Sequence, residues 1–205
     1  MAIAIYTPMV RLVTADGEAL GDAHTLQGTW TEEQYLRITD QTNRLIEFTD
    51  GSIEVLPMPT DKHQNILAFL FLALHTLLYP LGGKVQFAPL RLIIPQRKFR
   101  EPDLLVLLDA DDPRRQNARW LGADLVMEIV SPDNPERDKV EKRADYASAG
   151  IPEYWIIDPQ DETVVVLRLE GVEYIEHGVF RRGDTAISAL LEGFEVAVTS
   201  IFDAR

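Results

Sequence analysis

The chain has 205 residues, 46% hydrophobic and 26% charged, which suits one soluble globular domain. It has no cysteine, which excludes disulfides, a thiol nucleophile and a cysteine zinc site. A formal charge of −13 excludes attraction of nucleic acid by the mean field, so any such role needs a local basic surface.

The N-terminus lacks the basic start and long apolar core of a signal peptide. The longest apolar run, residues 66–74, is too short to span a bilayer. The expectation is a soluble cytoplasmic protein with no membrane partner. Residues 1–28 have weak periodicity, with turn signals at Asp16-Gly17 and Gly21-Asp22. Thr31, with Gln34 three residues on, predicts a capped helix that ends near Asp40. Runs 44–48 and 53–58 flank Thr49-Asp50-Gly51-Ser52, a strong hairpin signal, with Glu47 in the first arm and Glu54 in the second. Thr60 or Asp61 caps a helix over about 63–79, apolar nearly all round and so expected in the core. Residues 85–94 read as a strand region broken by Pro89, 95–103 as a basic loop, and 104–108 as a buried strand. Residues 109–122 read as a polar loop with a helical turn around 114–120.

Residues 125–130 form an apolar run interrupted by Glu128 and closed by Ser131-Pro132-Asp133-Asn134-Pro135, which reads as a strand buried on both faces. A carboxylate there costs several kcal/mol unless paired, protonated or bound to a metal. Pro135 or Glu136 opens a helix that ends at Gly150. A strand at 154–157, a hairpin of 164–169 with 172–176, and a last strand at 194–198 complete the chain. The order predicts one α/β domain over 1–205 with a mixed sheet: a core of about 30–160 and a C-terminal β extension of about 161–205.

If their strands are neighbours, Asp103 and Glu128 converge at one end of the sheet, and two hard oxygen ligands suit Mg²⁺ or Mn²⁺. The plainer alternatives are a turn cap for Asp103 and an arginine partner for Glu128. Periodicity places Lys142 opposite the Val140, Ala144 and Ala147 stripe or at its edge, which favours an ordinary Asp138–Lys142 pair four residues apart. Pattern alone makes Glu47 a solvent-facing strand residue. The four histidines have no metal-ligand spacing with one another. Basic residues cluster at 91–100, 114–119 and 137–143, flanking the candidate carboxylates: either solvated surface charge or a phosphate-binding rim.

Pro102-Asp103, Glu128-Ile129-Val130 and Lys142 resemble the PD-(D/E)XK nuclease signature. More closely, the chain resembles the Uma family (Uma-two) of restriction endonucleases. The likeness extends to Glu47 with Asp50-Gly51, His63 before the long helix, Ser131-Pro132, Asp138, Ile151-Pro152-Glu153-Tyr154-Trp155 and Asp158-Pro159. It implies a restriction-endonuclease-like core, a mixed sheet flanked by helices, with an N-terminal hairpin and extra C-terminal strands. It also implies Mg²⁺, for which Mn²⁺ can substitute, held by Asp103, Glu128, the Ile129 carbonyl and Glu47. His63, Arg100 and Arg137 would face substrate. The signature lysine normally lies two residues after the acid, where this chain has Val130; Lys142 on the next helix would take its place. The implied activity is hydrolysis of phosphodiester bonds, of DNA first. Double-strand cleavage needs two sites, so a homodimer is expected, with the C-terminal strands over 164–198 as its surface. A nuclease fold kept as a non-catalytic nucleic-acid or protein binding module is the second reading. A metal-free two-carboxylate sugar hydrolase is the third.

Overall fold

The computed structural model describes residues 11–13, 19–22 and 26–205. β1 (Arg11–Val13) and β2 (Ala19–Asp22) pair antiparallel, so Gly21-Asp22 lies in a strand rather than a turn; Asp16-Gly17 lies outside the described residues. α1 (Glu32–Thr39) opens at Thr31, whose side chain accepts the Gln34 N–H while Gln34 accepts the Thr31 N–H, the expected reciprocal cap. β3 (Ile46–Thr49) and β4 (Ser52–Val55) form the expected hairpin, turning through Asp50 at φ 38° and Gly51 at φ 90°. Gly51 is required twice over, because a Cβ there would also sit 2.6 Å from the Gly28 carbonyl oxygen.

α2 (Asp61–Leu78) is capped by Thr60, which accepts the His63 N–H. β5 (Lys84–Phe87) and β6 (Arg91–Ile94) are parted by a cis Ala88–Pro89 bond and enter different sheets. Residues 95–103 are not a loop: β7 (Lys98–Arg100) pairs with β6 through a turn in which Gln96 and Arg97 both have positive φ. Neither residue gives the Gly or Asn signal on which a turn is recognised. β8 (Leu104–Leu107) follows. The expected helical turn near 114–120 is replaced by a short strand, β9 (Arg119–Trp120), with Arg114 tied to Asp112 and Asp124. After β10 (Leu125–Ile129), a π-helical segment (Arg137–Glu141) runs into α3 (Lys142–Ser148). β11 (Glu153–Asp158), β12 (Thr163–Glu170), β13 (Glu173–Arg181), β14 (Thr185–Ile187), β15 (Glu195–Ala197) and α4 (Val198–Phe202) complete the chain.

The central sheet has the order β13-β12-β11-β10-β8-β5, with β10 and β11 parallel and every other neighbour antiparallel. A second sheet runs β4-β3-β7-β6-β9. This is the expected mixed α/β architecture. Alternation along β10 divides its side chains: Leu125, Met127 and Ile129 join the core beneath α2, while Val126 and Val130 join the core beneath α3. Glu128 shares the parity of the second set, so it faces α3.

α2 departs from the core-helix expectation. It buries Ile66, Leu70, Leu74 and Leu78 on the central sheet, but Leu72 is 62% exposed, and Tyr79, just beyond its end, is 71% exposed. By length and composition alone the helix over Asp61–Leu81, at mean hydropathy 1.5, is long and apolar enough to cross a membrane, which the shorter run at 66–74 did not suggest.

Candidate active site

β8 and β10 pair with Leu104 opposite Met127, and the next step of that register sets Asp103 against Glu128. The Asp103 N–H lies 3.4 Å from Glu128 Oε2. Asp103 Oδ2 accepts the Ile129 N–H at 2.7 Å and stands 3.2 Å from His63 Nε2. The two sequence-predicted carboxylates therefore converge, and α2 delivers His63 from its first turn. Ile129 enters through its N–H.

Lys142 is buried, not exposed. Its Nζ lies 2.8 Å from Glu128 Oε1, 3.2 Å from Asp138 Oδ1 and 3.4 Å from Glu47 Oε1. Tyr146 donates its hydroxyl to the same Glu128 oxygen. The helix buries its charged face, and of the apolar stripe only Ala147 packs against the core. Arg137, Asp138, Lys142, Asp145 and Tyr146 point inward, while Val140 is 55% exposed and Ala144 faces solvent. The physical reason is that the surface it packs against carries charges of its own, so the polar face is the complementary one. The Asp138–Lys142 pair exists, but as one edge of a buried network.

Glu47 is also buried. It accepts from Arg100 Nη1 at 3.1 Å and from the Glu101 N–H at 3.2 Å, behind Lys142. Its carboxylate is not among the groups lining the cleft. Arg100 is locked between Glu47 and Asp145, whose Oδ2 lies 2.6 Å from Nη2, so it does not present itself to a substrate. Arg137 lines the cleft but forms an ion pair with Glu54. Sequence reasoning gave no role to Glu101, which is buried at the cleft and accepts the Ile46 N–H, or to Tyr146. The spacing of Tyr146 four residues beyond Lys142 is a usable signal only once Lys142 is known to face inward.

Electrostatics follow from this packing. Burial first, then Asp103, Asp138 and Glu47, push the Glu128 carboxyl up to about 8 against the pull of Lys142. Burial raises Glu101 to about 8 as well. Burial also works against ionised Glu47, but Lys142, Arg100 and the Glu101 N–H outweigh it and hold that carboxyl below its ordinary value. For Lys142, burial is overcome by its three carboxylates, which keep the ammonium charged. His63 is raised: burial opposes its charge, and Asp103 more than offsets that.

A divalent ion fits this donor set. Asp103, Glu128 and Asp138 crowd around the cleft, with Lys142 on the last two and His63 beside the first. Asp103 and Glu128 supply hard oxygen of the kind that Mg²⁺ takes, and there is no thiolate. Among the described residues no three His, Asp or Glu side chains stand ready as a metal cage. Two carboxylates with water and phosphate filling the shell is the arrangement Mg²⁺ commonly uses.

The basic clusters do not form a rim. Arg91 pairs with Asp40, Arg97 with Asp50, and Lys98 and Arg100 with Asp145. Arg114 pairs with Asp112 and Asp124, and Lys139 with Asp158. Arg115 and Arg143 donate to the carbonyls of Ala110 and Tyr174. Most of this charge is paired with carboxylates of the same chain, partly in exposed pairs such as Arg97–Asp50.

Comparison with known proteins agrees with the architecture. A solved structure of a protein described as a "putative nuclease belonging to DUF820", from Anabaena variabilis, is similar with a TM-score of 0.66 at 22% identity, covering 82% of this chain and 96% of the other. That likeness shows the fold. Among curated proteins no match to the chain is found. The family model for Uma2, described as "Putative restriction endonuclease", matches residues 32–199, and the chain belongs to that family.

Proposed function

We propose that the cleft hydrolyses phosphodiester bonds of nucleic acid, DNA first, with Mg²⁺ or Mn²⁺ held by Asp103 and Glu128. The observation that carries this reading is the register that sets Asp103 against Glu128, with the Lys142 ammonium 2.8 Å from the latter. Membership of a family described as restriction endonucleases and a fold shared with a protein described as a nuclease support it.

The bound ion would lower the pKa of a water and neutralise charge on the scissile phosphate. The chain's own residues do the rest. Lys142, pinned by three carboxylates, presents a fixed ammonium that orients the water and stabilises charge developing on the phosphate. His63 donates from Nε2 to Asp103 and fixes the angle of that carboxylate, as outer partners of ligands do. Glu47 acts as a positioning residue through Lys142 rather than as a ligand. The ammonium thus occupies the role of the signature lysine from a different element.

Titration of Mn²⁺ by calorimetry tests this without a guess about substrate. Wild type should bind and Asp103→Asn should not; a variant that binds equally well removes the carboxylate site. Cleavage assays with Lys142→Ala as control follow. The non-catalytic module is favoured by one observation, the charge of −13 with its basic clusters internally paired. Metal binding without cleavage of any nucleic acid would select it. Cutting both strands of a duplex takes two sites, and a homodimer through the free edge of β13 would supply them.

A further inference from the structure

The walls of the cleft are unlike its floor. The cavity, about 460 Å³, has carboxylates and Lys142 at its base. One wall is the open end of the β3–β4 hairpin, with Leu45, Leu56, Pro57 and Met58; the other carries Phe87 and Pro89. Met58 is 82% and Phe87 45% exposed, and Phe87 is held edge-on against Phe71 of α2 with ring centroids 5.3 Å apart. Cationic side chains are scarce. Lys142 is committed to Glu128, Glu47 and Asp138, and Arg137 to Glu54. Among the described residues, Arg44 is the cleft-lining cation without a carboxylate partner.

A duplex is gripped through rows of phosphate contacts, several lysines or arginines per site. The lining of this cleft leaves one free, Arg44. Unpaired strands are held differently, by stacking successive bases on aromatic and apolar faces, with few charges. We infer that the substrate enters this cleft as an unpaired polynucleotide strand, with a base against Phe87, the opposite apolar wall at Met58, and one flanking phosphate on Arg44. The scissile phosphate then lies over Asp103 and Glu128. This rests on the reading of the cleft as the reactive site, and it narrows that reading: a duplex would have to open, at an end, a flap or a damaged step, before it could be cut. One site per strand then suffices.

The test has two arms. In the binding arm, fluorescence anisotropy follows a labelled 12-nucleotide single-stranded DNA and the corresponding blunt duplex with Asp103→Asn, which retains the cleft walls. The expectation is at least about tenfold tighter binding of the single strand. Phe87→Ala in the same background should weaken it about tenfold, the order expected for one stacked base. Met58→Ala, at an exposed position with no folding risk, should weaken it less. The salt slope should be shallow, about −0.7, since a single strand loses about 0.7 per phosphate contact and Arg44 makes one. Equal or tighter duplex binding, no binding of either, or indifference to both substitutions would overturn the inference. In the cleavage arm, wild type with Mn²⁺ receives the single strand, the duplex and a duplex with an unpaired flap. Single-strand binding without any cleavage leaves the inference standing and sinks the hydrolase reading. Cleavage of the blunt duplex as fast as the single strand does the reverse.

Discussion

The Lys142 ammonium and the Glu128 carboxylate, 14 residues apart in sequence, meet at 2.8 Å in a fully buried contact that joins α3 to the central sheet. No other cation in the described residues touches Glu128 at ion-pair distance. Glu47 and Asp138 lean on the same nitrogen, and among the described residues only Glu47 of the three carboxylates has a second cation, Arg100.

Removing that charge should therefore cost stability as well as activity. Lys142→Ala should lose about 3–5 kcal/mol in denaturant unfolding, the usual result of leaving buried charge unpaired. Adding Glu128→Gln should recover part of the loss, because the neutral amide no longer needs a counter-charge. A strictly additive double variant would mean that the pair is not coupled.

Asp103→Asn separates metal binding from folding. The amide oxygen can still accept the Ile129 N–H that Asp103 Oδ2 accepts at 2.7 Å, so the strand pairing is preserved. Asp103→Ala would leave that N–H without its acceptor, at about 1–3 kcal/mol. Addition of Mn²⁺ should raise the melting temperature of wild type by mass action and leave that of Asp103→Asn unmoved. An equal rise in both would place the ion elsewhere.

Much of the site was legible because strand patterning exposes an anomaly. A carboxylate inside the apolar run of β10 and an acid at the head of β8 identify themselves in sequence, and their pairing follows from strand adjacency. Lys142 was misplaced for an equally physical reason. Helical periodicity assigns faces by hydrophobicity, and α3 buries its charged face because the surface opposite it carries Glu47, Arg100 and Glu128. The basic clusters misled in the same way. Sequence counts charges without their partners, and partners here such as Asp40 and Asp145 lie 51 and 47 residues away from Arg91 and Lys98. The β6–β7 turn was missed because Gln96 and Arg97 adopt positive φ without being the residues that usually do.

Glu101 should make stability depend on pH. Its carboxyl rises from an ordinary 4.5 to about 8 because the buried position penalises its charge. The folded state thus holds this proton more tightly than the unfolded chain does. The resulting stabilisation is full below about pH 4.5 and is lost as pH rises through about 8. Each tenfold difference in proton affinity is worth about 1.4 kcal/mol. Glu101→Gln keeps an oxygen for the Ile46 N–H that Glu101 accepts at 3.0 Å, and it cannot ionise. Its unfolding free energy, measured at pH 5 and pH 8.5, should fall less than that of wild type. Parallel curves would mean that Glu101 does not carry the dependence.

Glu153 fastens the C-terminal strands to the central sheet. It is wholly buried at the start of β11, and all its hydrogen bonds are accepted: from Trp155 Nε1 at 2.5 Å, Ser188 Oγ at 2.7 Å and the Leu190 N–H at 2.6 Å. Three donors around two oxygens are satisfied only by a carboxylate. Glu153→Gln keeps the shape and replaces one acceptor by an NH₂ group, which must face either the Leu190 N–H or the Trp155–Ser188 pair, donor against donor. The cost should be about 1–3 kcal/mol. The loss should also be local, because Ser188 and Leu190 precede the strand and helix that pack beside α2. Amide hydrogen exchange should show faster opening of residues 185–202 in Glu153→Gln, with β8 and β10 unchanged. Uniform acceleration across the central sheet would instead make Glu153 part of the global core.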